Sequence, residues 1–261
     1  MRHPVVAGSF YPSNPDSLLA MLAEFVRPSP DPTIAACVAP HAGYMYSGRT
    51  AGKIYSLIPK AETYVILGPN HTGYGSMVAV STDTWLTPLG EIEPDVEFIE
   101  AMPKVIVDMD EIAHRYEHSI EVQLPFLQYV HKDFKIVPIC LGMQDEETAR
   151  EVAHEILTAE ERTGRKIVVI ASSDMHHYLP DRTCREADAK VIDAILSMDV
   201  ARYYQTIYDM QASVCGYGAI GVVMIYAKHH NCYASLVDYS TSGDVADKSS
   251  VVGYAAIAFR R

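Results

Sequence analysis

Short apolar runs alternate along the chain with segments whose apolar residues recur at helical spacing. Six of these runs are continuous enough for strands buried on both faces of a parallel sheet: Thr33–Ala39, Thr63–Leu67, Lys135–Leu141, Lys166–Ala171, Tyr233–Tyr239 and Val251–Phe259. Strands that alternate with helices indicate an α/β fold, in which helices cover both faces of a mostly parallel central sheet.

Four segments carry the signals that begin and end helices. Asn14 followed by Pro15 is a favourable start for a helix that runs to Val26. The segment Asp145–Arg162 opens with acidic residues and is followed by Gly164, which suits the helix dipole and the C-terminal cap. The remaining predicted helices are Asp181–Met198 and Tyr217–His230.

Composition favours one folded domain that spans residues 1–261. Apolar residues make up 49% of the chain, which is enough for a large core. The net charge is −12 and no cluster of lysine and arginine is present, so nucleic acid is not an expected partner. No apolar run approaches the length of a membrane span, and the N-terminus lacks the apolar core of a signal peptide.

Cysteine spacing and missing motifs exclude several classes of protein. The five cysteines are scattered, odd in number and without a CxxC pair, which argues against a disulfide framework and favours a cytoplasmic location. No set of four ligands has the spacing of a closed structural zinc site. Nicotinamide, phosphoryl-transfer and serine-hydrolase chemistry lack support, because the chain has no GxGxxG, Walker or nucleophile-elbow motif.

Three predicted strands are followed by loops that contain histidine. The loops are Pro40–Tyr44, Gly68–Gly73 and Ser172–His177. Open α/β sheets bind ligands in the crevice outside the carboxyl ends of their strands. We therefore expect the three loops to converge at one edge of the sheet.

Two histidines and one cysteine are the candidate metal ligands. His41 and His71 each follow an apolar strand and have glycine neighbours that let backbone approach a ligand, although each could instead cap a turn. Cys215 directly precedes the helix from Tyr217, where the helix dipole lowers a thiol pKa and favours the metal-binding thiolate. The alternative for Cys215 is an ordinary buried cysteine.

Two further pairs could support such a site. His118 and Glu121 are three residues apart and would share one face of a helix, or would form a solvated polar stripe before Pro125. Asp174 and His177 could pair, with the carboxylate orienting the imidazole.

Six short motifs, in order along nearly the whole chain, together resemble the Memo family. They are Val6–Pro12, Ala39–Tyr44, Gly68–His71, Glu117–Glu121, Ser173–Asp174 and Ser242–Asp244. The resemblance implies an α/β fold similar to that of class III extradiol dioxygenases, which use non-haem Fe(II). In microbes the family is associated with a radical-SAM protein, and members have been linked to iron or copper handling.

The resemblance also implies roles for six residues. His41 and His71 match the two histidine ligands of that fold, and Cys215 matches the position where the dioxygenases have a carboxylate. The other three matches are His177 to the acid/base histidine, Asp174 to its neighbour in the same motif, and His118 to a histidine lining the cleft.

A thiolate in place of the carboxylate gives a softer ligand set, which suits zinc or copper at least as well as iron. The sequence therefore supports three hypotheses of function. The first is a metal-dependent redox or oxygenase-like enzyme, with His177 as general acid/base. The second is a non-catalytic module that binds a small molecule or peptide in an ancestral cleft. The third is a zinc-type hydrolase.

Overall fold

All six apolar runs form strands in the computed structural model, which describes residues 1–261. The eleven strands are β1 (Ile34–Ala39), β2 (Thr63–Pro69), β3 (Val78–Val80), β4 (Trp85–Thr87), β5 (Gly90–Ile92), β6 (Asp108–Met109), β7 (Lys135–Leu141), β8 (Ile167–Ser172), β9 (His177–Leu179), β10 (Tyr233–Thr241) and β11 (Val251–Arg260). The five strands that the pattern did not predict, β3, β4, β5, β6 and β9, have at most three residues each, too few to show a period.

Eight helices connect or cover the strands, and none combines the length and apolar character that a membrane crossing requires. They are α1 (Pro15–Phe25), α2 (Tyr44–Tyr55), α3 (Val96–Ala101), α4 (Leu124–Val130), α5 (Glu146–Thr163), α6 (Asp181–Leu196), α7 (Val200–Asp209) and α8 (Tyr217–His229). The side chain of Asn14 caps α1, and Gly164 ends α5 in the left-handed conformation at φ 64°.

The sheet is mixed. Its order is β10-β11-β1-β8-β2-β7-β3-β6, with β9 paired to β11. The four central strands β1, β8, β2 and β7 are parallel, as the strand–helix alternation predicts. The prediction of parallel strands was wrong for β10 and β11, which pair antiparallel. They are joined by residues 242–250 alone, and a parallel pair needs a longer crossover.

Helices cover both faces of this sheet. Side chains alternate along β1, so that Ala36 and Val38 join one core while Cys37 and Ala39 join the other. The larger core has 43 buried residues and includes α3, α5, α6, α7 and α8, whereas the smaller has 27 and includes α1, α2 and α4. The arrangement leaves the two ends of the parallel strands as the places where loops can form a site.

Candidate metal centre

Three segments bring histidine and cysteine side chains together at the carboxyl edge, the edge where β1, β2 and β8 end. His41 follows β1, His71 follows β2, and Cys215 lies two residues before α8. Their ligand atoms all lie within 4.8 Å of one another. The Cys215 sulfur is 3.2 Å from Nε2 of His41, and the two imidazole centroids are 5.2 Å apart.

Hydrogen bonds fix which nitrogen of His41 faces the cysteine. The Ser172 hydroxyl donates its single proton to the carbonyl of Ser119 at 2.6 Å. It accepts from the amide nitrogen of Gln123 at 2.8 Å, and that nitrogen is identified because it also donates to the carbonyl of Pro40. Nδ1 of His41, 2.9 Å from the same hydroxyl, must therefore be the donor. The lone pair of His41 is then on Nε2, toward the sulfur.

Glu117 fixes which ring nitrogen of His71 carries the proton in the same way. Its carboxylate lies 2.8 Å from Nδ1 of His71 and also accepts the backbone N–H groups of His118 and Ser119, each at 2.9 Å. Burial favours a raised pKa for Glu117, but the hydrogen bond and charge of His71 prevail and lower the pKa to about 2. For His71, burial lowers the pKa, and the hydrogen bond and charge of Glu117 outweigh burial and raise it. Nε2 of His71 is left free for a metal ion.

Glu117 and His118 also form a second group of possible ligands with His71. The oxygens of Glu117 already accept N–H groups from three residues, one of them the backbone N–H of His71 at 2.5 Å. We therefore interpret Glu117 as a residue that orients His71 rather than as a ligand. The sequence motif contained Glu117, but its partner His71 lies 46 positions away and could not be identified from spacing.

The pKa of the Cys215 thiol differs from the sequence prediction. Cys215 is half-buried, and burial of its sulfur, followed by the nearby Asp174 carboxylate, raises the pKa of the thiol. The predicted lowering by the helix N-terminus was wrong, because this burial outweighs the dipole. The backbone N–H of Asp174 points at the sulfur at 3.3 Å, an arrangement that favours a thiolate once a cation neutralises it.

Asp174 and His177 do not pair as predicted. The Asp174 carboxylate accepts the backbone N–H of His41 at 2.8 Å, and burial raises its pKa to about 6. His177, in β9, donates from Nδ1 to the carbonyl of Ser213 at 2.8 Å, in the segment before Cys215. Nε2 of the neutral His177 ring therefore holds the lone pair. Burial lowers the pKa of His41, and the His177 ring lies near enough to lower it further when protonated.

His118 lies beside the candidate ligands, whereas Glu121 does not share its surroundings. The ring of His118 stacks on His71, with centroids 4.7 Å apart and planes 16° apart. Glu121 is fully buried, where it pairs with Arg2 at 2.9 Å and accepts the hydroxyl of Tyr11 at 2.7 Å. The prediction of a shared helix face was wrong, because the chain first becomes helical at the 3-10 turn Glu121–Gln123.

The fold and this ligand set define the chain as an α/β protein with a candidate two-histidine, one-cysteine metal centre. Residues 2–258 match the sequence profile of the family described as Memo-like protein. A MEMO1 family protein from Archaeoglobus fulgidus is 75% identical, and the match covers 100% of each chain. A second from Methanosarcina barkeri is 54% identical over 98% of this chain and 99% of the relative. The chain therefore belongs to the Memo family.

A solved structure supports the α/β fold independently. An uncharacterized protein from Escherichia coli K12 superimposes with a TM-score of 0.54, covering 86% of this chain and 99% of the other. The two chains share 12% sequence identity, so the likeness concerns the fold alone.

Proposed function

We propose that this chain binds one iron, copper or zinc ion through His41, His71 and Cys215 and uses it for redox or oxygenase-like chemistry on a small molecule. One observation carries the proposal. Both histidines commit Nδ1 to protein partners, so that both can present Nε2 to the space beside the cysteine sulfur. Separate elements, far apart in sequence, supply the three ligand atoms, which lie within 4.8 Å of one another.

The donor set suits the proposed metals. Imidazole and thiolate are ligands that iron, copper and zinc accept, and three protein ligands leave a coordination position open to a small molecule. When bound, the ion would supply Lewis-acid or one-electron chemistry at that open position. The hydrogen bonds that the two histidines donate to Ser172 and Glu117 are of the kind that hold imidazole ligands in one tautomer.

The remaining residues would handle the proton and shape the cleft. His177 can accept or release a proton at Nε2, because its Nδ1 is already committed to Ser213. Asp174 holds the backbone of His41 and lies 4.0 Å from its Nε2, while His118 supports His71 by stacking. We assign His177 the acid/base role and give Asp174 and His118 positioning roles.

Metal analysis of protein purified without added metal tests the proposal. We expect close to one equivalent of a transition metal in the native chain and its loss in His41→Ala. His131→Ala is the matched control, because His131 instead bonds the carbonyl of Ile58 through its Nε2. Equal metal contents in the two variants would contradict the proposal.

A second candidate function is a non-catalytic binding module, and three exposed tyrosines near the candidate site residues favour it. Tyr74 and Tyr116 are 57% and 61% exposed and pack edge to face, while Tyr178 beside His177 is 77% exposed. Tyrosine is enriched at protein interfaces. The radical-SAM protein associated with the family is the partner to test. Binding that survives His177→Ala but weakens in Tyr74→Ala would favour the module, and the opposite pattern would oppose it.

A further inference from the structure

One side-chain amide holds the turn that carries Cys215. Gln144 lies three residues after β7, at the carboxyl edge of the sheet. Its amide nitrogen donates to the carbonyl of Cys215 at 2.9 Å, and its amide oxygen accepts the N–H of Gly218, also at 2.9 Å. Both the nitrogen and the oxygen of the amide therefore bond the same backbone turn, which joins Cys215 to the start of α8.

The same turn is closely packed against Gln144 and the end of β8. A Cβ atom at Gly218 would lie 2.7 Å from Cβ of Gln144. A Cβ atom at Gly216 would lie 2.5 Å from the carbonyl oxygen of Ser172, at the end of β8. Glycine at these two positions lets the turn fit between Gln144 and the end of β8.

This confinement determines where the sulfur lies. A cysteine side chain has one torsion between the backbone and Sγ, so a fixed backbone leaves the sulfur only a few staggered positions. In the observed position the sulfur is 3.2 Å from Nε2 of His41 and accepts the N–H of Asp174. Two side chains hydrogen-bond the backbone of this turn: Ser173, from the loop Ser172–His177, accepts the N–H of Gly216, whereas Gln144 lies outside the ligand loops.

We infer that Gln144 is a positioning residue of the metal centre, whose amide holds the Cys215 backbone so that the sulfur meets the two histidines. The inference rests on the proposed metal site. Gln144 would not touch the metal ion or a substrate. Its effect should appear as weaker binding and as a poorer metal–sulfur bond, since outer residues of this kind change metal affinity by about 10- to 100-fold.

Cobalt(II) titration of the full chain tests the inference, because a cobalt–thiolate bond gives a charge-transfer absorption that reports the sulfur directly. Gln144→Met keeps the side-chain length and removes both hydrogen bonds. We expect about tenfold weaker cobalt binding and less thiolate absorption per bound ion. Gln205→Met is the matched control, because Gln205 is exposed and bonds only Asp209 through its side chain.

The outcomes separate the inference from the function on which it rests. Failure of the native chain to bind cobalt would overturn the proposed metal site and the inference together. Native binding with unchanged affinity and absorption in Gln144→Met would overturn the inference alone. If Gln144→Met does not fold, Gln144→Glu keeps the acceptor for Gly218 and loses the donor to Cys215. Reduced thiolate absorption per bound ion in Gln144→Glu would support the inference, and native absorption would overturn it.

Discussion

The two ends of the parallel strands offer different kinds of concave surface. At the amino edge, where β2, β7 and β8 begin, a groove of about 680 Å³ is lined by charged side chains including Glu62, Asp95 and Arg165. Arg165 contacts Glu62, Asp95 and Glu97, and His131 bonds the carbonyl of Ile58. Within this groove, Arg165 is thus paired with two carboxylates, and the only imidazole bonds a backbone carbonyl.

At the carboxyl edge the two candidate histidine ligands are arranged differently. His41 and His71 bond protein through Nδ1, and each has a ring nitrogen within 4.8 Å of the Cys215 sulfur. The comparison teaches that the size of a cavity does not identify a site. The proposed site rests instead on donors that converge, because a metal ion needs several donors aimed at one position.

The largest expected effect is on the free energy of unfolding, through the buried carboxylate of Asp188 at the carboxyl edge. Asp188 is fully buried and accepts the backbone N–H and Nδ1–H of His176, at 3.0 and 2.7 Å, and the hydroxyl of Tyr239 at 2.6 Å. Asp188→Asn removes the charge and leaves fewer acceptors. We expect the free energy of unfolding in urea to fall by about 3 kcal/mol or more.

Asp209→Asn is the control for this variant, because Asp209 is exposed at the end of α7. It should have little effect on urea unfolding. A change below about 1 kcal/mol in Asp188→Asn would show that this buried carboxylate does not anchor the loop with Asp174 and His177.

The next largest expected effect is on the pH dependence of stability. It comes from His114, a buried histidine that is not one of the candidate metal ligands. Burial lowers the pKa of His114 to about 4, and its Nδ1 has no hydrogen-bond partner. The unfolded chain takes up this proton below about pH 6.5 while the folded chain does not until about pH 4. Stability is therefore complete above pH 6.5 and falls by about 3 kcal/mol as the pH drops to 4.

Urea unfolding of the native chain and His114→Gln between pH 4 and 7 measures this difference. The variant should lose this part of the pH dependence, so the stability difference between the two proteins should narrow as the pH falls. A constant difference across that range would mean that His114 titrates normally in the folded chain.

A smaller effect tests the orientation of His71. Glu117→Gln keeps the shape of the side chain but removes the charge that accepts Nδ1–H of His71. Metal affinity should fall about 10- to 100-fold, measured by competition with a chelator of known affinity. Glu93→Gln, at the exposed amino edge, should bind as the native chain does. Equal affinities in the two variants would contradict the orienting role of Glu117.

The smallest effect is expected at the amino edge itself. Arg165→Ala removes contacts with two exposed carboxylates and with Asp95, which still accepts a hydrogen bond from Thr63. Because the arginine is partly solvated, we expect a loss of about 1 kcal/mol in urea unfolding and unchanged metal content. A loss of metal in this variant would remove the distinction between the two edges.

The features that the sequence predicted best are those that depend on residues adjacent along the chain. The runs that became β1, β2, β7 and β8 are continuous and apolar, so their ends, and with them the loops of His41 and His71, could be located. The pairing of β10 with β11 was missed because a run of apolar residues has the same pattern in either direction.

What the sequence could not predict depends on partners that are distant along the chain. Glu117 is 46 positions from His71, and Ser172 is 131 positions from His41. The pKa of Cys215 was predicted wrongly for the same reason, since the segments that bury the sulfur come from other parts of the fold. Gln144, 71 positions before the cysteine it holds, gave no signal of its own.

X-ray absorption spectroscopy of the metal-loaded native chain tests the central claim most directly, because it counts the atoms bound to the ion. We predict one sulfur at about 2.3 Å and imidazole nitrogens at about 2.0–2.1 Å if the ion is zinc. The sulfur shell should disappear in Cys215→Ser. A native spectrum with only nitrogen and oxygen neighbours, unchanged by that substitution, would contradict the claim.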